Sequence, residues 1–255
     1  MDEFLIRMKL LMKGRTQEDI FNPRLYTLNY SSYALEKSWS FLKEEARLRG
    51  STGALLRTLP SGKKVVVKRG GHAGGDPQGH IRNEYDMNRY LNGLGVGVPH
   101  AEMVQENTKP TMITDFEEGA RPISYDDAQV LREGFVPQAL IGNWDALGME
   151  LDNVLIRPDG TPTYVDVGGA GPYRAQGAPK RGLWNPDVMS DVGSMQYRPP
   201  HTRNIYGEMS DKELGQSYDR FGGVDAFQDA TKVISDPQTS NILSQRAENL
   251  ARRLG

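Results

Sequence analysis

The stretch GNWDALGMELDNVLIRPDGTPTYVDVGGAG, residues 142–171, decides how the rest of this 255-residue chain is interpreted. It contains an apolar run at 153–156, a Pro-Asp-Gly turn at 158–160 and a second run at 163–165, which together predict a hairpin of two short strands. The residues that flank a hairpin lie at the same end of it. Asn153 and Asp166 are therefore expected to be neighbours, and an amide oxygen beside a carboxylate suits Mg²⁺ with nucleotide phosphates.

Composition excludes several other classes of protein. The chain is 37% hydrophobic and 25% charged, with a net charge of −2, which is typical of an ordinary folded protein. It has no cysteine, so disulfides and thiolate metal sites are excluded. No long apolar run predicts a membrane span, and the near-neutral charge gives no reason to expect binding to nucleic acid. Neither a membrane nor a nucleic acid is therefore expected as a partner.

A second group of motifs precedes the central stretch. The sequence GSTG, formed by Gly50, Ser51, Thr52 and Gly53, opens a predicted hairpin that turns at 60–62 and returns as KVVVK, 64–68. Glycines let backbone N–H groups approach phosphate oxygens, although such a sequence is more often a plain turn. Lys68 ends the returning strand, where a lysine is ordinarily only a solvated charge.

The regions around these motifs predict further elements. A helix is expected at 33–48, where apolar residues recur at helical spacing, and it would pack on the rest of the chain or bind a partner. Another helix is expected at 80–94, and it contains Glu84. Two strands are expected at 101–105 and 110–116, and the basic, glycine-rich segment 172–181 could contact phosphate or substrate.

The order Asp145, Asn153, hairpin, Asp166 resembles the catalytic loop and metal-binding segment of the protein-kinase-like superfamily. GNWD resembles the opening of the same loop in HipA-type and actin-fragmin-type kinases. The tail DVGGAGPYRAQG is similar to kinase-like domains of phage-encoded and secreted bacterial proteins, including minimal effector kinases. One departure is that Asp145 lies eight residues before Asn153, which puts Gly148 at the usual position of the aspartate. Whether Asp145 or Asp152 faces the acceptor is left open.

The resemblance covers residues 50–177 and implies an α+β, two-lobed protein-kinase-like fold. Residues 1–48 would be a helical extension. Residues 49–116 would form an N-lobe with a small antiparallel sheet and one helix equivalent to helix αC of kinases, and residues 117–255 a mainly helical C-lobe. ATP would lie under the loop at 50–53, with adenine contacted by the backbone near Thr114 and Asp115.

The resemblance also implies the roles of the site residues. Lys68, held by Glu84, would contact the nucleotide phosphates, and Asn153 and Asp166 would bind Mg²⁺. Asp145 would orient a hydroxyl for attack on the γ-phosphate.

The expected function is an ATP- and Mg²⁺-dependent protein Ser/Thr kinase of phage or secreted-effector type. Its substrate would be a host protein, and it would act in the cytoplasm or after delivery into a host cell. One alternative is AMP transfer to a protein hydroxyl, and another is phosphotransfer to a small molecule. A third is a non-catalytic binding module, such as a pseudokinase or virion component, which the long loop between Asp145 and Asn153 favours.

Overall fold

An antiparallel sheet organises the first part of the computed structural model, which describes residues 44–48, 53–106, 109–198 and 200–254. Its strands are β1 (Glu44–Arg47), β2 (Leu55–Thr58), β3 (Lys64–Lys68), β4 (Ala101–Glu106) and β5 (Lys109–Asp115). Their order in the sheet is β1-β2-β3-β5-β4. The valines of β3 alternate, so that Val65 and Val67 pack with Leu55 and Ile113 in a small apolar cluster of the sheet. This arrangement places Lys68 at the end of a central strand.

The helix predicted at 33–48 is wrong for its C-terminal part. Glu44–Arg47 form strand β1, and Arg47 pairs with Leu55 of β2. The free edge of β2 offers unpaired backbone groups to this segment, and pairing with them overrides a weak helical periodicity. The remainder of that prediction lies outside the described residues.

Helix α1 (Pro77–Gly93) confirms the helix predicted at 80–94 and begins slightly earlier. Asp76 caps it by accepting a hydrogen bond from the Gly79 N–H at 2.8 Å, and Pro77 occupies the first turn, where its missing N–H costs nothing. Its buried residues Met87, Tyr90 and Leu91 belong to the large core of the C-terminal part and not to the small cluster of the sheet. Helix α1 therefore joins the sheet to the helical part.

The rest of the described chain is mainly helical. Its elements are β6 (Arg121–Pro122), α2 (Ala128–Glu133), α3 (Phe135–Leu140), β7 (Val154–Ile156), β8 (Pro162–Tyr164), α4 (Val188–Tyr197), α5 (Pro200–Tyr206), α6 (Asp211–Arg220), α7 (Gly223–Ala230) and α8 (Pro237–Leu254). Apolar residues from these helices, including Phe135, Tyr206 and Leu243, form one core with α1. The predicted fold class, a small sheet followed by a helical region, is confirmed. In the described part, no helix is both long enough and apolar enough to cross a membrane.

The predicted central hairpin is confirmed as β7 and β8. Val154 pairs with Tyr164, and Gly160 provides the positive φ of +84° that the turn between the strands requires. At the open end, the Val165 N–H donates to the Asn153 carbonyl at 2.9 Å. The hairpin therefore brings the backbone on either side of Asn153 and Asp166 together.

Candidate active site

A buried ion pair lies between the sheet and helix α1. The Lys68 ammonium Nζ is 2.6 Å from Glu84 Oε1, and these two residues are only 5% and 2% exposed. The same ammonium donates to the Val165 carbonyl at 2.9 Å and lies 3.8 Å from Asp166 Oδ1. Burial would lower the pKa of Lys68, but the charges of Asp166 and Glu84 outweigh it and raise that pKa. Burial also raises the pKa of the Glu84 carboxyl, and the charge of Lys68 opposes this effect; the 2.6 Å contact between the two groups supports the ionised pair. Lys68 is therefore a fixed cation between two carboxylates.

The loop that follows β8 turns tightly around Asp166. The carboxylate Oδ1 of Asp166 accepts a hydrogen bond from the Gly168 N–H at 2.9 Å, while 37% of its side chain remains exposed. A Cβ atom at Gly168 would lie 3.1 Å from Glu84 Oε2 and 3.2 Å from Asp166 Oδ1. Only a residue without a side chain fits there without pushing the two carboxylates. Asp166 is thus held in place while keeping access to solvent.

His80, which the sequence interpretation did not single out, connects three parts of the site. Its Nδ1 accepts a hydrogen bond from the Gly71 N–H at 2.7 Å, and its Nε2 lies 2.7 Å from the Gly168 carbonyl oxygen. Because a backbone N–H can only donate and a carbonyl can only accept, the ring is neutral with its proton on Nε2. The available signal in the sequence was its position one helical turn before Glu84.

Asp145 and Asn153 lie at the open end of the hairpin. The Asn153 side-chain NH₂ donates to the Asp145 carbonyl at 2.7 Å, which fixes the orientation of that amide. Asp145 is half-buried, and burial together with the negative charge of Asp166 raises the pKa of its carboxyl to about 6. Asp145 is therefore hydrogen-bonded to Asn153 through its backbone and lies close enough to Asp166 for the two carboxylate charges to interact.

The alternative carboxylate, Asp152, lies in an exposed position and contributes a smaller charge effect on Asp145 than Asp166 does. Gly148, which occupies the usual place of a kinase aspartate, has a φ of +75°. A Cβ atom there would lie 2.2 Å from Asp152 Oδ1. A side chain at position 148 would need a left-handed backbone and a shift of the Asp152 carboxylate, so this position is poorly suited to a catalytic aspartate.

Lys180 ties the loop before Asp145 to the loop after Asp166. Its ammonium donates to the Gly142 carbonyl at 2.6 Å and to the Gly169 carbonyl at 2.7 Å. The same ammonium lies 4.6 Å from the ring centroid of Trp144, whose indole N–H donates to Asp191 Oδ1 at 2.5 Å. The sequence analysis places Lys180 only in a basic segment. Its two hydrogen-bond acceptors are backbone carbonyls, and a sequence does not show which carbonyls a side chain will contact.

The predicted nucleotide-binding residues are only partly described. Gly50, Ser51 and Thr52 lie outside the described residues, whereas Gly53 is described and has a φ of +68°. Thr114 is buried in β5, which pairs with β3 on one side and β4 on the other. The Asp115 N–H already donates to the His100 carbonyl at 3.0 Å. Binding of adenine near Thr114 and Asp115 stays a prediction, and this N–H is not free to take part in it.

The donors present fit a magnesium ion that is shared with a nucleotide. In the described ranges, no group of three or more His, Cys, Asp or Glu side chains could hold a metal by itself. The amide oxygen of Asn153 and the carboxylate of Asp166 offer hard oxygen ligands, and Mg²⁺ commonly takes its remaining ligands from phosphates and water. A site of this kind would form only with the nucleotide bound.

Comparison with known proteins identifies the fold. No protein-family model matches the chain, and no curated protein sequence matches it. Among solved structures, the chain resembles the Helicobacter pylori proinflammatory kinase CtkA, with 11% identity, a TM-score of 0.50, and coverage of 83% of this chain and 92% of that one. It also matches choline kinase LicA from Streptococcus pneumoniae, with 12% identity, a TM-score of 0.42, and coverage of 86% and 98%. At 11% identity the likeness to CtkA shows the fold alone and leaves the substrate undetermined.

Proposed function

We propose that this chain, which has the fold of the protein-kinase-like superfamily, transfers a phosphoryl group from ATP to a hydroxyl group of a protein. The observation that carries the proposal is the buried Lys68–Glu84 pair beside Asp166. A buried ion pair loses much of its Coulomb energy to desolvation, so it contributes little to stability compared with apolar packing. A cation held between two carboxylates, one of them open to solvent, supports a role in binding a charged ligand.

The side chains have separate tasks in this proposal. When bound, ATP would supply the phosphoryl group and Mg²⁺ would neutralise the phosphate charge. Lys68, fixed by Glu84 and by the Val165 carbonyl, would bind phosphate oxygens. Asn153 and Asp166 would hold the metal. Catalysis of phosphoryl transfer depends mainly on such positioning and on charge stabilisation.

Asp145 would orient the acceptor hydroxyl. With a pKa of about 6 its carboxyl is ionised at neutral pH, so it can accept a hydrogen bond or a proton from that hydroxyl. Asp145 is favoured over Asp152 because it is half-buried and responds to the charge of Asp166, whereas Asp152 is exposed.

For the acceptor we propose a serine or threonine of a host protein, with the chain acting as a phage-type or secreted-effector kinase in the cytoplasm or inside a host cell. Support comes from the resemblance of GNWD to HipA-type kinases and of the tail to effector kinases. A purely non-catalytic module is disfavoured, since Lys68, Glu84 and Asp166 are assembled together.

The test is transfer of label from γ-phosphate-labelled ATP with Mg²⁺ in bacterial and eukaryotic lysates. We expect labelled protein bands with the wild type, and their loss with Asp166→Asn and Lys68→Met. Asp225→Asn, which changes an exposed aspartate of α7, is the matched control and should leave the bands unchanged. Circular dichroism would verify that each variant is folded.

Two results would overturn the proposal. Label that is transferred from the α-phosphate and not from the γ-phosphate would establish AMP transfer. Absence of both labels from every protein in the two lysates, despite measured binding of ATP, would favour a small-molecule acceptor or a binding-only role.

A further inference from the structure

A cavity of about 570 Å³ opens beside the site, between the loop that connects β3 with α1 and the segment 174–183. Ala73 contributes one wall. Arg174 and residues 178–183 contribute the other. None of the groups assigned to ATP or Mg²⁺ lines this cavity, so it is separate from the proposed phosphate and metal sites.

Backbone contacts fix the shape of the cavity. The Ala73 N–H donates to the Gln176 carbonyl at 3.1 Å, and a Cβ atom at Gly71 would lie 2.3 Å from that same oxygen. The second wall is a closed turn, in which the Arg174 N–H donates to the Ala178 carbonyl and the Gly177 N–H donates to the Arg174 carbonyl, both at 2.8 Å. The two walls are therefore packed backbone to backbone through glycines.

The lining of the cavity is positively charged. Arg174 and Arg181 are exposed, and among the described residues neither forms an ion pair with a carboxylate. None of the described Asp or Glu residues lines the cavity. Arginine presents planar N–H donors that suit carboxylate groups, and a concave surface of one charge sign attracts the opposite sign. Leu183, 53% exposed, adds an apolar contact at the same place.

Trp144 connects the cavity with the loop that carries Asp145. The Arg174 guanidinium is 5.4 Å from the ring centroid of Trp144, and Trp144 directly precedes Asp145 in the chain. Arg174 is therefore close enough in the fold to contact a side chain of a substrate segment that presents its hydroxyl to Asp145. Each extended residue spans roughly 3.3 Å, so a side chain only a few residues from the hydroxyl would reach the cavity.

We propose that this cavity binds carboxylate side chains of the substrate, so that the acceptor hydroxyl lies in an acidic segment of a protein. The inference rests on the proposed function, because it assigns the substrate class of that same site. It predicts that Arg174 and Arg181 select the protein substrate and do not take part in binding ATP.

Peptide binding tests this without requiring turnover. Four fluorescein-labelled peptides of equal length, each with one serine flanked by glutamate, glutamine, lysine or phosphoserine, are titrated with the full chain, and fluorescence anisotropy gives the affinities. We expect the glutamate peptide to bind roughly tenfold or more tightly than the glutamine peptide, since two charge-assisted contacts are available. Arg174→Gln combined with Arg181→Gln should abolish that preference while leaving the affinity for ATP unchanged.

Arg89→Gln is the matched control, because Arg89 is also exposed and lies 5.6 Å from the centroid of an aromatic ring, that of Tyr85, in helix α1. It should keep the full preference for glutamate, as should the transfer-deficient Asp166→Asn. Retention of the preference in Asp166→Asn separates this inference from the proposed function, since peptide selection can hold even where transfer fails.

Three outcomes would overturn the inference. One is equal affinity of the wild type for the glutamate and glutamine peptides. Another is that the arginine double variant binds ATP more weakly and binds peptide unchanged. That result would assign the cavity to the nucleotide. The third is selective binding of a phosphoserine peptide without any preference for glutamate, which would assign the cavity to a phosphate group.

Discussion

Lys180 makes the stability of this protein depend on pH in a predictable direction. Its ammonium is buried against two carbonyls and two indole rings. Burial lowers the pKa of Lys180 from 10.5 to about 7; Asp191 opposes this shift, and the nearby charges of Arg246 and Arg174 add to it. Between these two values the unfolded chain holds a proton that the folded chain has released. The free energy of unfolding therefore rises with pH through this window.

The size of the effect follows from the two pKa values. Linkage gives an increase of about 2 kcal/mol in the free energy of unfolding between about pH 7.5 and about pH 9. Lys180→Met has no group to titrate at this position, so its free energy of unfolding should lack this increase with pH. It also leaves the Gly142 and Gly169 carbonyls without a donor, at a cost of about 1–3 kcal/mol for each. We expect the variant to be less stable than the wild type. The difference in free energy of unfolding between the two proteins should widen by about 2 kcal/mol over this pH range.

The assay is urea unfolding followed by circular dichroism at several pH values, for the wild type and the variant in parallel. Groups that titrate in both proteins cancel in the difference between them. Lys212→Met, at an exposed position on α6, is the control and should give a difference that does not vary with pH. A constant gap between wild type and Lys180→Met across the range would refute the reasoning, because it would show that Lys180 is protonated in the folded state throughout.

Two further predictions concern the site. Glu84→Gln should cost about 1–3 kcal/mol of stability and reduce phosphoryl transfer, because the buried Lys68 cation loses an ionised partner. Thermal unfolding and label transfer measure the two effects. Glu118→Gln, which changes the exposed pair with Lys64, is the control and should alter neither stability nor transfer. Gly168→Ala should destabilise the fold by about 1–3 kcal/mol and reduce transfer, because its Cβ would crowd the carboxylates of Glu84 and Asp166. In contrast, Gly193→Ala, whose Cβ would meet nothing within 4 Å outside its own helix, should be neutral or stabilising, and equal effects of the two glycine substitutions would contradict this account.

The elements that could be predicted from sequence are those with a local signal. The hairpin of β7 and β8 is marked by a Pro-Asp-Gly turn between apolar runs, and α1 by apolar residues at helical spacing. The pairing of Lys68 with Glu84 is what the resemblance to kinases implies, and the distance of 2.6 Å between the two side chains agrees with it. The catalytic and metal-binding roles stay predictions.

What could not be predicted depends on contacts between distant segments. His80 and Lys180 each join two loops through backbone groups, and one of these loops is distant in the chain: it contains Gly168 for His80 and Gly142 for Lys180. Any residue can provide such backbone groups. The pairing of β1 with β2 likewise depends on an open strand edge and not on the composition of Glu44–Arg47. Sequence patterns record which side chains are present, and these contacts are made by the backbone.

The attachment of helix α1 to the large core has a consequence for regulation. Met87, Tyr90 and Leu91 pack in the core of the helical part, and Asp86 accepts a hydrogen bond from the Ser235 N–H at 2.8 Å. An outward swing of α1 that separated Glu84 from Lys68 would expose these apolar residues to water. We therefore expect the ion pair to persist whether or not a ligand is bound. If the chain transfers phosphate as proposed, its activity in a cell would then follow the amount of protein and the supply of substrate and would not depend on a mobile activating helix.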